Sequence, residues 1–192
     1  MYAGLAIIAL VAAAPARAQV SLDALLSWVR ANGDNQGAAF VVVDKRAARV
    51  HVYRNGTERA SSPVLVGLAR GDLSVAGIGE RKMQDILPDE RTTPAGRFVS
   101  EPGTNLQHED IVRIDYDAAV SMHRVRANQP AERRMQRLAS LDAQDHRITY
   151  GALTSRPRST TLTSDPSGGS VRGFIYVLPE ASSFKAVFES NP

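Results

Sequence analysis

The sequence predicts a mainly β domain with a few short helices. A short apolar run at residues 38–43 suits a buried strand, and the stretch after it alternates between apolar and other side chains. Asn55-Gly56 then gives the strongest hairpin signal in the chain, because both residues tolerate positive φ. At 192 residues the chain is long enough for one domain with a proper core and marginal for two.

The first expected element is a helix over residues 21–32. Leu22, Leu25, Leu26 and Val29 recur at helical spacing, Ser21 can cap the start, and Gly33 can close the end. The run 38–43 is the first strand, and Asp44-Lys45-Arg46 turns the chain. Val50, Val52 and Arg54 alternate with His51 and Tyr53, so the second strand has two distinct faces, with His51 toward solvent. Residues 57–66 form the returning strand. Residues 67–90 have scattered glycines and mixed charge, and read as a long loop with one short helical turn near 82–86. Strands are expected at 97–100, 111–116, 119–122 and 174–178, and a helix at 131–141 with Met135, Leu138 and Leu141 as its apolar stripe. Residues 152–170 differ from everything else: thirteen of these nineteen are Ser, Thr, Pro or Gly. Such a stretch buries too little surface to offset its ordering entropy, so it is expected to be loose, although it directly precedes a strong core strand.

Composition excludes several functions. Net charge is only +3, which gives no support for nucleic-acid binding. Arg124, Arg126, Arg133, Arg134 and Arg137 cluster in sequence, and read as a solvated face or as a surface that attracts an anionic polymer. There is no cysteine, hence no disulfide, no thiolate metal site and no thiol nucleophile. The four histidines are too scattered, with no paired spacing, to suggest zinc. The apolar run 5–14 is too short to span a bilayer, and Ala16-Arg17-Ala18 supplies a small-x-small cleavage pattern. Residues 1–18 are therefore expected to be a signal peptide, with no membrane span after its removal. No Lys or Arg precedes the apolar run, so the true start is expected upstream, with a few basic residues.

Four pieces in order resemble the L,D-transpeptidase (YkuD-type) catalytic domain. The hairpin from Phe40-Val41-Val42-Val43-Asp44-Lys45 through Val52-Tyr53-Arg54-Asn55-Gly56 looks like its opening strands. Thr93-Pro94-Ala95-Gly96-Arg97-Phe98 is similar to its Thr-Pro-x-Gly-x-Phe element. Ser121-Met122-His123 followed by Arg147-Ile148-Thr149-Tyr150-Gly151 looks like its active-site pair of segments, and Tyr176-Val177-Leu178-Pro179-Glu180 like a closing strand. The resemblance implies an L,D-transpeptidase-like β-sandwich over residues 37–181, preceded by a helical lead-in at 19–36 and followed by a tail at 182–192. It implies an exported protein, periplasmic or associated with the cell wall, whose partners are peptidoglycan stem peptides. It implies acyl transfer with no metal or organic cofactor, in which a thiolate attacks the carbonyl before a terminal D-residue, D-alanine leaves, and an amine or water resolves the thioester.

Carried over residue by residue, His123 matches the general base and Gly151 the glycine before the nucleophile. Ala152 occupies the nucleophile position itself. Thr154 stands where Asn or Arg is expected, Tyr150 where many members carry a second histidine, and Thr149 belongs to the same substrate-binding segment. An alanine methyl cannot attack a carbonyl, so the chain as written is expected to be inactive. His51 and His146 have no such context and read as ordinary. Ser121 and Thr149 carry hydroxyls, but nothing in the sequence activates either.

The missing cysteine and the Ser/Thr/Pro-rich stretch have one common explanation. Synonymous codons for residues 151–166 can be written so that reading one base earlier, from the last base of the glycine codon, gives Cys-Ile-Asn-Val-Pro-Pro-Ala-Phe-Tyr-Asp-Val-Asp-Val-Arg-Ser. That peptide starts as the family does after its glycine, with Cys, an apolar residue and Asn. The synonymous codons are chosen freely, so some agreement comes by selection, but the shift leaves mainly the third base of each codon free, and a run of agreement this long is hard to obtain by choice alone. The frame must return before Phe174. The shift is either an error of reading or a real mutation. The alternative is a non-catalytic pseudoenzyme that binds peptidoglycan, but such a module would keep the support around its pocket, and the Ser/Thr/Pro-rich stretch does not.

Overall fold

The computed structural model of the chain describes residues 20–105, 108, 110–115, 117, 118, 120–126, 129–155 and 173–190. The expected signal peptide and most of the Ser/Thr/Pro-rich stretch lie outside these. Helix α1 spans Leu22–Asn32. Ser21 caps it by accepting the Ala24 N–H at 3.1 Å, and Gly33 closes it in the left-handed region at φ 60°. Strands β1 (Phe40–Asp44) and β2 (Arg49–Arg54) follow, and β2 turns into β3 (Thr57–Gly67) through Asn55 at φ 52° and Gly56 at φ 69°. Two positive-φ residues between antiparallel strands are what a type I′ hairpin requires.

The remaining strands are β4 (Gly96–Thr104), β5 (Asp110–Asp115), β6 (Val120–Arg124), β7 (Arg147–Thr149), β8 (Leu153–Ser155) and β9 (Gly173–Val177). Hydrogen-bonded neighbours run β2, β1, β9, β4, β5, β6, β8, β3, and β3 pairs back onto β2, so the sheet closes on itself with β7 appended to β3. Two long strands turn the corners. β3 pairs with β2 as far as Pro63, then with β8 at Val64 and Leu65. β4 pairs with β9 over residues 96–100 and with β5 over residues 101–104. Pro102 and Gly103 lie just past that second corner. The architecture is thus a mainly β, sandwich-like closed sheet with a few short helices.

The interior between the two halves is filled by Val41, Val43, Val50, Val52, Val64, Val66, Val112, Ile114, Met122, Leu153, Ile175 and Val177, all buried. The opposite face of β1, β2 and β9 carries Phe40, Val42, Tyr53, Phe174 and Tyr176, which form a second cluster with Leu25, Val29 and Phe188. Burial on both faces explains why β1 and β9 read as unbroken apolar runs. It also buries Tyr53, which stacks on its register partner Phe40 with centroids 4.9 Å apart. Trp28 of α1 meets Phe184 edge-on at 5.9 Å, and residues 185–189 form a short π-helix beside it. No described helix is long and apolar enough to cross a membrane.

Several expectations are corrected. The helix expected over 131–141 is a 3-10 turn at Pro130–Glu132 followed by α2 at Arg134–Ala139 only. Arg133 sits between them at φ 51°, which breaks helical continuity, and of the three stripe residues only Leu138 is buried; Leu141 is fully exposed. The start of the stretch expected to be loose is strand β8. Its three residues fit into the sheet because Leu153, Thr154 and Ser155 are each completely buried between β6 and β3. Strands β7 and β8 have three residues each, too short for any periodicity to show. The loop 67–90 contains three 3-10 turns, at Ile78–Glu80, Met83–Asp85 and Pro88–Glu90, the second within the expected turn. His51 is largely covered, with its Nδ1 3.3 Å from Glu58 Oε1. His146 is a buried structural residue whose ring nitrogens face the carbonyls of Val64 and Ser140 at 3.2 and 3.1 Å.

Candidate active site

Parallel pairing of β6 with β8 sets Met122 opposite Leu153 and His123 opposite Thr154. Met122 and Leu153 point into the core, so strand alternation sends His123 and Thr154 the other way. Ala152 lies immediately before β8, two residues ahead of Thr154, the register partner of His123. The His123 Nδ1 is 3.2 Å from the Arg124 carbonyl, and its Nε2 is 3.4 Å from Thr154 Oγ1. A carbonyl only accepts, so the proton belongs on Nδ1 and Nε2 is left as the basic nitrogen. Burial lowers the imidazole pKa; the hydrogen bond to the Arg124 carbonyl opposes this, and the nearby Arg134 charge adds to it. A neutral imidazole is the form a general base needs.

Gly151 adopts φ +118°, a conformation that side chains rarely allow, and a Cβ there would lie 2.8 Å from the Thr92 carbonyl oxygen. Glycine is therefore required both by torsion and by space. Its carbonyl accepts from Thr93 Oγ1 at 2.8 Å, and its N–H donates to Thr149 Oγ1 at 3.2 Å. The Thr149 hydroxyl in turn donates to the Ala152 carbonyl at 2.6 Å. Both threonine hydroxyls are thus spent on the backbone of residues 151 and 152, and Thr149 is excluded as a substitute nucleophile. Thr154 has the one hydroxyl hydrogen-bonded to the imidazole among the described residues, but it is fully buried and cannot meet a substrate carbonyl.

Tyr150 lies under the Arg91 guanidinium, 3.9 Å from its ring centroid, and Arg91 is held there by two hydrogen bonds to the Ile86 carbonyl. Thr93 is pinned from behind. Its carbonyl accepts from the buried Lys45 ammonium at 2.8 Å, and Lys45 also reaches Asp72 at 2.9 Å and the Gly71 carbonyl at 2.5 Å. Asp72 accepts the N–H groups of Glu180, Ala181 and Ser182, and Glu180 pairs with Arg147. Burial pushes the Asp72 carboxyl up, but these donors outweigh it and hold the group well below the usual carboxylate range.

The expected residues His123, Thr149, Tyr150, Gly151, Ala152 and Thr154 therefore occupy one contiguous junction of β6, β7 and β8. Sequence reasoning missed Thr93, Lys45, Asp72, Arg91 and Arg134. Only Thr93 carried a signal, as the first residue of the Thr-Pro-x-Gly-x-Phe element. Lys45 looked like part of an exposed turn. Among the described residues no group of three or more His, Asp or Glu side chains is placed to hold a metal.

No protein-family model matches the chain, and no curated protein matches it. Among solved structures, the chain is similar to an L,D-transpeptidase from Xylanimonas cellulosilytica, at 11% identity and TM-score 0.42, covering 73% of this chain and 60% of that one. It is similar to an L,D-transpeptidase from Mycobacterium smegmatis, at 17% identity and TM-score 0.42, covering 73% and 58%. The catalytic domain of the Enterococcus faecium L,D-transpeptidase shares 15% identity at TM-score 0.41, covering 74% of this chain and 98% of that domain. The chain spans under two thirds of the length of the first two.

Proposed function

We propose that the chain is a peptidoglycan L,D-transpeptidase-like acyl-transfer scaffold, inactive as written because its nucleophile has been displaced by a frameshift at residue 152. The observation that carries the reading is the His123 imidazole, fixed through Nδ1 on a carbonyl, with Nε2 as its basic nitrogen beside Thr154, on the strand that flanks β8. In this reading the imidazole takes a proton from a group at residue 152. With Cys there, the thiolate would attack the amide carbonyl of a stem peptide. The carbon–sulfur bond forms as the carbon–nitrogen bond breaks, and the imidazolium returns its proton to the leaving D-alanine amine. The reading places the substrate in the cell wall and the protein outside the cytoplasmic membrane.

The burial pattern of β8 suits the hidden frame. Positions 153 and 155 are completely buried. The hidden frame puts Ile and Val at these two positions, whereas the chain as written puts Leu and Ser there.

The test is to build the chain with residues 152–166 replaced by the hidden-frame peptide and to assay D-alanine release from a tetrapeptide stem. The expected result is release with a thioester-linked enzyme adduct in the mass spectrum, lowered about 100-fold or more by His123→Asn. A folded chain whose cysteine alkylates normally but which releases no D-alanine would overturn the proposal.

A further inference from the structure

We infer that Thr93 is a positioning residue that aims the N–H of residue 152 at the reacting carbonyl. The inference rests on the acyl-transfer reading above. Thr93 Oγ1 makes two hydrogen bonds of 2.8 Å, one from the Gly67 N–H and one to the Gly151 carbonyl. The Gly67 N–H can only donate, so it fills an acceptor site on the hydroxyl. The single hydroxyl proton is then committed to Gly151. The direction of this contact is therefore fixed, unlike that of most surface hydroxyls.

The carbonyl of Gly151 and the N–H of Ala152 belong to one peptide unit. That unit is planar and trans, so the two groups point in opposite directions. Holding the oxygen on Thr93 turns the N–H to the other side. The three other backbone polar groups of residues 151 and 152 are occupied, the Gly151 N–H and the Ala152 carbonyl by Thr149 and the Gly151 carbonyl by Thr93. The Ala152 N–H has no hydrogen-bond partner among the described residues. It is the donor left over for charge that develops on a carbonyl oxygen beside residue 152.

Thr93 can do this because it cannot move. It is 2% exposed, and its own carbonyl is tied to Lys45. Gly67 lies so close that a Cβ on it would meet the Thr93 nitrogen at 2.7 Å and the Arg91 carbonyl oxygen at 2.4 Å. The hydroxyl thus ties the end of β3 to the turn before β8.

The test uses the full chain carrying Ala152→Cys, alone and with Thr93→Val, Thr93→Ala or Thr93→Ser. Two probes separate the effects. In alkylation by iodoacetamide, sulfur displaces iodide and no oxyanion forms. With p-nitrophenyl acetate, sulfur adds to the acetyl carbonyl, the electron pair moves to oxygen, and collapse expels p-nitrophenolate. The expected result is acylation reduced about tenfold to a hundredfold by Thr93→Val and Thr93→Ala, alkylation changed less than about twofold, and acylation retained by Thr93→Ser. Equal loss in both reactions would overturn the inference, because it would show a general effect on the thiol or the fold. Loss in Thr93→Ser as large as in Thr93→Val would also overturn it, by assigning the effect to the methyl group. If the parent Ala152→Cys thiol is no more reactive than free cysteine toward either probe and is insensitive to His123→Asn, the acyl-transfer reading itself fails.

Discussion

At the scale of single residues, the site is a set of threonine and histidine contacts around one peptide unit. His123 was legible in the sequence because it stands in Ser121-Met122-His123, and its partner segment ends in Gly151. Its geometry was not. The tautomer is set by a backbone carbonyl one residue away, and the burial that depresses its pKa comes from the packed sheet. Thr93 was legible only as part of a short motif, since its hydroxyl partners lie 26 and 58 residues distant. A depressed histidine pKa has a consequence for stability. Between the folded-state value and the ordinary value of 6.5, the unfolded chain binds more protons than the folded one, so stability rises with pH through that window. Urea unfolding at a series of pH values below 7 is expected to show a loss of stability on acidification that is smaller in His123→Asn than in the parent. Identical slopes in the two proteins would show that the imidazole titrates freely.

At the scale of elements, legibility followed length and local chemistry. Helix α1 and the β2–β3 hairpin carry their own stop signals in Gly33 and Asn55-Gly56, and both form where the sequence places them. Strands β7 and β8 carry none. They exist because neighbours β3 and β6 supply partners, so tertiary pairing outweighs the weak strand preference of a Ser/Thr-rich stretch. Leu153 is the side chain that anchors β8, fully buried among Met122, Val64 and Ile175 of the inner cluster. Leu153→Ala is expected to cost about 2–5 kcal/mol of unfolding free energy. Leu153→Ile, the residue the hidden frame supplies, is expected to cost under about 1.5 kcal/mol. Denaturant titration of the two variants separates them, and equal small effects would mean that β8 is not part of the core.

At the scale of the whole molecule, closure of the sheet and one buried ionic network bring distant segments to the site. β3 and β4 each serve both halves, which a sequence cannot announce because the change of partner occurs within a continuous strand. The Lys45–Asp72 pair and the Arg147–Glu180 pair join the β1–β2 turn, the long loop, β7 and the segment after β9. Buried charges of this kind are costly to leave unpaired, so their role is to fix the register of those segments behind Thr93. Because the Asp72 pKa is depressed, its contribution is present at neutral pH and is lost only as pH falls toward its low folded-state value. Among the described residues, Thr93 and Thr149 hold the backbone of residues 151 and 152, while residue 152 itself is an alanine. The displaced frame proposed above would account for that alanine.

The most direct measurement is the nucleotide sequence of the gene from codon 145 to codon 180. The account predicts that a cysteine codon follows the Gly151 codon in the frame that continues Cys-Ile-Asn-Val, either outright or on reading one base earlier. Codons for residues 151–166 that do not spell that peptide in either frame would contradict it, and would leave a chain that never carried a nucleophile at this site.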